Sequence, residues 1–109
     1  MADQNDLKAV FLQRSPYYRL VKFEASWCGP CKALNPTLQR YADDFEEVLE
    51  VYVVDVDEDP DLAVEHKVRS VPTTILFNEN GIELSREVGV FPYNRFRAYL
   101  ELKSKRGPA

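Results

Sequence analysis

The chain has 109 residues and a net charge of -4 at pH 7, with 45% apolar and 29% charged residues. That is enough for one domain with its own core and too little for two. The apolar run Val51 to Val54 stops at Asp55, so nothing is long enough to span a bilayer. The polar start, Met1 to Asp6, lacks the basic-then-apolar order of a secretory leader. Eleven acidic residues and no Lys or Arg lie between Asp43 and Glu65, whereas Arg95, Arg97, Lys103, Lys105 and Arg106 face Glu101 alone near the other end. This asymmetry reads as two solvated surfaces, with an acidic face that selects basic partners as the sharper alternative. Five basic residues at one end make no nucleic-acid surface.

In chain order, Leu7, Val10 and Phe11 stand near helical spacing after Asn5 or Asp6 as caps, so a short first helix is expected over Asn5 to Arg14, ending before Ser15-Pro16. Arg19 to Ala25 alternates, with Val21, Phe23 and Ala25 on one face and Lys22, Glu24 and Ser26 on the other. Leu34, Leu38, Tyr41, Phe45 and Leu49 form an apolar stripe along a helix from Cys28 onward, and Pro36 inside it predicts a kink over Lys32 to Pro36. Glu50 to Asp57 reads as a strand, and Asp59-Pro60 as a cap and first residue of a helix through Glu65. Thr73 to Phe77 and Ile82 to Val88 are strands joined by the hairpin turn Asn78 to Gly81. Tyr93, Phe96, Tyr99 and Leu100 predict a last helix from Pro92 to about Lys103, before a loose tail over 104–109. A parallel pair at the front and an antiparallel hairpin at the back imply an α/β fold: a mixed sheet with helices on both faces, in one domain over 1–109 with its core in about 5–103.

The two cysteines of the chain, Cys28 and Cys31, lie in Trp27-Cys28-Gly29-Pro30-Cys31-Lys32. A structural disulfide there would close almost no loop. A zinc site would have to be completed by His66 and carboxylates, for want of other sulfur ligands. Gly29 and Pro30 fit a turn that opens a helix, with Cys28 just before its first turn and Cys31 inside it. The free amides and positive dipole end then favour an anion at Cys28 and lower its thiol pKa. The arrangement points to dithiol–disulfide exchange, with Cys28 attacking and Cys31 close enough to displace the mixed disulfide. His66 reads as surface or helix-end packing rather than a base.

The string Trp27 to Lys32, preceded by Val21-Lys22-Phe23-Glu24-Ala25 and followed by Pro36, Asp57, Pro60, Val71-Pro72-Thr73 and Gly89, resembles the thioredoxin family over roughly Leu20 to Leu102. The resemblance implies the thioredoxin fold, with Trp27 in the docking surface and the Val71-Pro72 bond cis and facing the cysteines. Val71 would then offer its backbone edge to an extended substrate strand, with Gly89 beside it. It also implies a protein-disulfide reductase that binds no cofactor or metal, uses the redox-active pair Cys28–Cys31, and acts as a cytoplasmic monomer on disulfide-containing proteins. With no nucleotide fingerprint of its own, such a chain needs a separate donor of the thioredoxin-reductase kind. A binding or adaptor module using Trp27, Pro72 and Gly89, with redox turnover secondary, is the alternative.

Two departures stand out. Most thioredoxins have a buried aspartate where this chain has Lys22, often an aromatic residue at the place of Glu24, and a lysine at the place of Val53. Lys22 and Glu24 share a strand face, so Lys22 is expected partly buried near Cys31 as a modulator of its pKa: charged, it stabilises thiolate; neutral, it serves as a base. Otherwise it snorkels to the surface and water moves the proton. The short start leaves room for four strands or a minimal fifth.

Overall fold

The computed structural model describes residues 1–5, 7 and 15–105. Its elements are β1 (Tyr18–Glu24), α1 (Gly29–Ala33), α2 (Asn35–Asp44), β2 (Leu49–Asp55), α3 (Pro60–Glu65), β3 (Thr73–Phe77), β4 (Glu83–Val88), a 3-10 turn (Tyr93–Arg95) and α4 (Arg97–Lys105). The sheet order is β2-β1-β3-β4. β1 and β2 are parallel, and the other two pairings are antiparallel. A parallel pair needs a crossover, which α1 and α2 provide, whereas β3 and β4 need a turn alone. That turn holds Gly81 at φ 77, with Asn78 Oδ1 accepting from the amides of Asn80 and Ile82.

β1 lies at the centre and is covered on both sides. Tyr18 and Leu20 pack with Leu34, Leu38, Tyr41, Phe96 and Leu100 on the α2/α4 side. Val21 and Phe23 pack with Leu7, Leu62 and Ala63 on the other. Each large apolar side chain so buried contributes about 1.5–3 kcal/mol, and the two layers clamp β1, whose end delivers Cys28. The strand spans Tyr18–Glu24 rather than Arg19 to Ala25. Ala25 instead packs beside the cysteines.

The long helix expected from Cys28 is divided at Leu34, which closes α1 and precedes Asn35 and Pro36 at the start of α2. The missing amide and steric clash at Pro36 thus produce a break in the expected place. The stripe extends one residue too far. Leu49 packs in the same core as Leu38 and Tyr41 but opens β2, because the chain turns at Phe45, where the amides of Val48 and Leu49 find its carbonyl. β2 ends at Asp55, not Asp57, as Asp55 Oδ1 accepts from the amides of Asp57 and Glu58 and bends the chain.

Of the expected first helix, Gln4, Asn5 and Leu7 are helical, and the remainder lies outside the described residues. The cap is Asp3, whose Oδ1 accepts from the Asn5 amide at 3.0 Å, so Asn5 falls inside the helix. The minimal fifth strand is a single bridge, Ala2 to Tyr52, with the Ala2 amide on Val51 O at 3.0 Å and the Val53 amide on Ala2 O at 2.7 Å.

At the other end, Tyr93–Arg95 make a 3-10 turn capped by Pro92 rather than the start of the last helix. Phe96, buried, directs its amide to Tyr41 Oη at 3.1 Å. Ser104 and Lys105, expected in a loose tail, belong to α4. The helix persists because Lys103 is buried, its Nζ paired with Glu79 at 2.9 Å and above the Tyr18 ring.

Candidate active site

Ser26 and Trp27 form a turn after β1, and the Cys28 amide returns to Ala25 O at 3.1 Å. Cys28 is extended (φ -90, ψ 107) and caps α1, with Pro30 in the first turn. Proline fits there because the first-turn amides have no partner within the helix. The Cys31 amide donates to Cys28 Sγ at 3.2 Å, so an N–H already points at the sulfur on which negative charge would develop. Cys28 and Cys31 are joined as a disulfide with Cα atoms 5.4 Å apart. Cys28 retains 5% exposure and Cys31 1%, which makes Cys28 the outer sulfur-bearing residue. Gly29 has no heavy atom within 4 Å of where a Cβ would stand, so the rim beside Cys28 is open.

Val71 packs on the Ala25, Cys28 and Cys31 cluster. The Val71-Pro72 bond is cis, in agreement with what the resemblance implies. The Gly89 amide donates to Pro72 O at 2.8 Å, and Gly89 itself takes φ +85, a conformation that a side chain would strain. Val71 also lines a cleft of about 170 Å³ with Trp27, Val56, Ala63, Val68 and Arg69. The walls are mostly apolar, and Trp27 at the rim is 71% exposed. A large aromatic surface left in water beside a concave apolar wall is what a docking partner would cover.

Two acidic residues brace the loops around the cleft: Asp57, known from the sequence by family likeness alone, and Asp59, read there as a helix cap. Trp27 Nε1 donates to Asp57 Oδ2 at 2.9 Å, so one member of the acidic run orients the indole. Asp59 Oδ1 caps α3 through the Leu62 amide at 3.2 Å. Asp57 and Asp59 thus help to hold the loops that frame the cleft.

Beneath the cysteines, Lys22 lies beside Cys31 and deeper than expected. Its side chain is wholly buried rather than partly buried or snorkelled. Nζ bonds Cys31 O at 3.1 Å, Asn35 Oδ1 at 2.6 Å and Glu24 Oε1 at 2.5 Å. Asn35, which no sequence pattern marks, is the first residue of α2 and is brought to Lys22 by the break at Leu34. Val53 and Thr74 lie opposite Lys22 on the flanking strands, and Thr74 Oγ1 is buried with no hydrogen-bond partner among the described residues.

His66 ends α3, with its ring 5.2 Å from Phe77 and 6.0 Å from Phe23. Burial lowers its pKa, against the opposing influence of Glu65 and Glu83. It is helix-end packing, as expected. Among the described residues no group of three or more His, Cys, Asp and Glu side chains is placed to hold a metal ion, and no helix is long and apolar enough to cross a membrane.

The thioredoxin family model matches residues 4–101. Thioredoxin of Staphylococcus aureus is 39% identical over 83 residues, which cover 76% of this chain and 79% of that protein. Among solved structures, chloroplastic thioredoxin z superposes with a TM-score of 0.80 at 25% identity, covering 96% of this chain and 95% of that one. Fasciola hepatica thioredoxin gives 0.76 at 28% identity, covering 94% and 95%. Malassezia sympodialis thioredoxin gives 0.75 at 28%, covering 95% and 88%. The chain belongs to the thioredoxin family, as a dithiol–disulfide oxidoreductase whose cysteine pair is Cys28 and Cys31.

Proposed function

We propose that this protein reduces disulfides in protein substrates, with Cys28 as the attacking thiolate and Cys31 as the resolving one. Cys28 Sγ forms a bond to one substrate sulfur, the substrate disulfide breaks, and the other substrate sulfur leaves as thiolate. Cys31 then attacks Cys28, the Cys28–Cys31 bond forms, and the second substrate sulfur leaves. Two electrons pass to the substrate, and its two thiolates take protons from water. A separate dithiol donor of the thioredoxin-reductase kind returns the pair to the reduced form. The setting proposed is a cytoplasmic monomer that uses no bound cofactor.

The observation that carries this reading is the placement of Cys28: a helix-capping sulfur that receives the Cys31 amide at 3.2 Å, beside a cleft that Val71 and Trp27 help to line. Donated hydrogen bonds and the helix terminus favour thiolate over thiol. The cleft supplies the apolar contact, and Pro72 and Gly89 hold Val71 at its edge. Gly29 leaves the approach open, and Pro30 fixes the first turn.

Insulin disulfide reduction with dithiothreitol as donor tests it. The chain should accelerate insulin precipitation well above the donor alone, and Cys28→Ser should remove the acceleration. Unchanged cellular function of a Cys28→Ser, Cys31→Ser double variant would instead favour an adaptor.

A further inference from the structure

Lys22 is a cation without exposed surface in the middle of the central strand. An unpaired ammonium there would cost several kcal/mol, so its partners decide what the position can do. The three oxygens around Nζ, from Cys31, Asn35 and Glu24, are all acceptors. They match the three N–H bonds of an ammonium, whereas a neutral amine would aim its lone pair at one of them.

The partners are unequal. Glu24 is the charged one and lies on the outer side, its side chain 30% exposed and open to screening by water. The other two are neutral and belong to the cysteine helices: the carbonyl of Cys31 itself and the amide of Asn35. A positive charge is thus tethered to the main chain of the second cysteine, with its counter-charge displaced toward solvent.

We infer that Lys22 is a positioning residue for the exchange reaction: its buried ammonium favours the Cys31 thiolate, and Glu24 sets how much of that charge Cys31 feels. The inference rests on the roles proposed above for the two cysteines. When the mixed disulfide is resolved, Cys31 gives its proton to water and its thiolate bonds to Cys28 Sγ. The bond from Cys28 to the substrate breaks, and the substrate sulfur leaves with the electron pair. Lys22 neither gives nor takes a proton in this step. Val53 and Thr74, opposite Lys22, are neutral, and Asp55 stands opposite Glu24 on β2. Glu87, beyond Thr74 on β4, pairs with Arg95 at 3.8 Å, and Lys32 on α1 is exposed.

The test is a pH titration of the fully reduced protein, labelled with 13C at the cysteine Cβ atoms and followed by NMR, for the parent chain, Lys22→Met and Glu24→Gln. Lys22→Met should raise the Cys31 titration by about one pH unit or more, the size expected for loss of an adjacent opposite charge. It should also slow resolution of a mixed disulfide several-fold at pH 7. Glu24→Gln, which leaves Lys22 in place, should move the Cys31 titration the opposite way. The same spectra report folding, and should Lys22→Met not fold, the sign of the Glu24→Gln shift decides. An unmoved Cys31 titration, or shifts of one sign in both variants, would overturn the inference. Insulin reduction by the parent chain is read separately, so failure of the reductase reading would show there and not in the titrations.

Discussion

The Trp27 indole donates from Nε1 to Asp57 Oδ2 at 2.9 Å, joining the turn before Cys28 to the loop after β2. The indole is otherwise largely in water, so this bond sets its orientation over the cleft. Asp57→Ala should lower kcat/KM for insulin about threefold to tenfold while leaving the cysteine titrations in place. An exposed hydrogen bond contributes about 1 kcal/mol or less to folding, so the urea midpoint should hardly move. Steady-state kinetics and Trp27 fluorescence check both halves.

Lys67 has φ 56, an uncommon conformation for a residue with a side chain. It ends α3: the Lys67 amide bonds Val64 O at 3.0 Å and the Val68 amide bonds Ala63 O at 2.8 Å, a Schellman arrangement that glycine fills more readily. Lys67→Gly should therefore raise stability by about 1 kcal/mol, read as an increased urea midpoint at unchanged slope. A lowered midpoint would show that the lysine side chain contributes more than its backbone strain costs.

Asp59 Oδ1 caps the other end of the same helix. With six residues, α3 has little internal cooperativity to lose. Asp59→Ala should cost about 1 kcal/mol. Because Trp27, Ala63 and Val68 share the cleft, insulin KM should rise with it. Asp59→Asn, which keeps an accepting oxygen, should recover most of the loss.

His66 gives a pH dependence of defined sign. Its folded pKa lies below the ordinary 6.5 because burial disfavours the imidazolium, with Arg86 acting in the same sense and Glu65 and Glu83 against it. Below about pH 6.5 the unfolded chain takes up a proton that the folded ring resists. The stability linked to His66 is therefore complete above that pH and is lost as pH falls. His66→Phe, which keeps an aromatic ring beside Phe23 and Phe77, removes this loss. The variant's stability relative to the parent should improve as pH falls from 7 to 5. Parallel urea curves across that range would contradict the assignment.

Local punctuation carried most of the fold that was readable from the sequence. Asp59-Pro60 starts a helix there, Asn78 to Gly81 makes its turn, and Pro36 interrupts its helix, because each acts through backbone geometry within a few residues. Periodicity alone was less reliable. Leu49 continues a helical stripe yet opens a strand, since the same core can be reached from either element. Lys103 keeps α4 going through a bond to Glu79 that only the fold creates. At the site, Trp27 to Lys32 was legible as a string, as was the departure at Lys22. The depth of Lys22 was not, because alternation assigns a face without saying what covers it, and Asn35 reaches it only after the break at Leu34.

Mass spectrometry of a trapped intermediate tests the central claim most directly. Cys31→Ser should hold an insulin chain in disulfide linkage to Cys28, and reductant should release it. Cys28→Ser should form little or no such adduct, since Cys31 is the more deeply buried of the two. Failure of Cys31→Ser to capture insulin, or equal capture through Cys31 when Cys28 is replaced, would contradict the account.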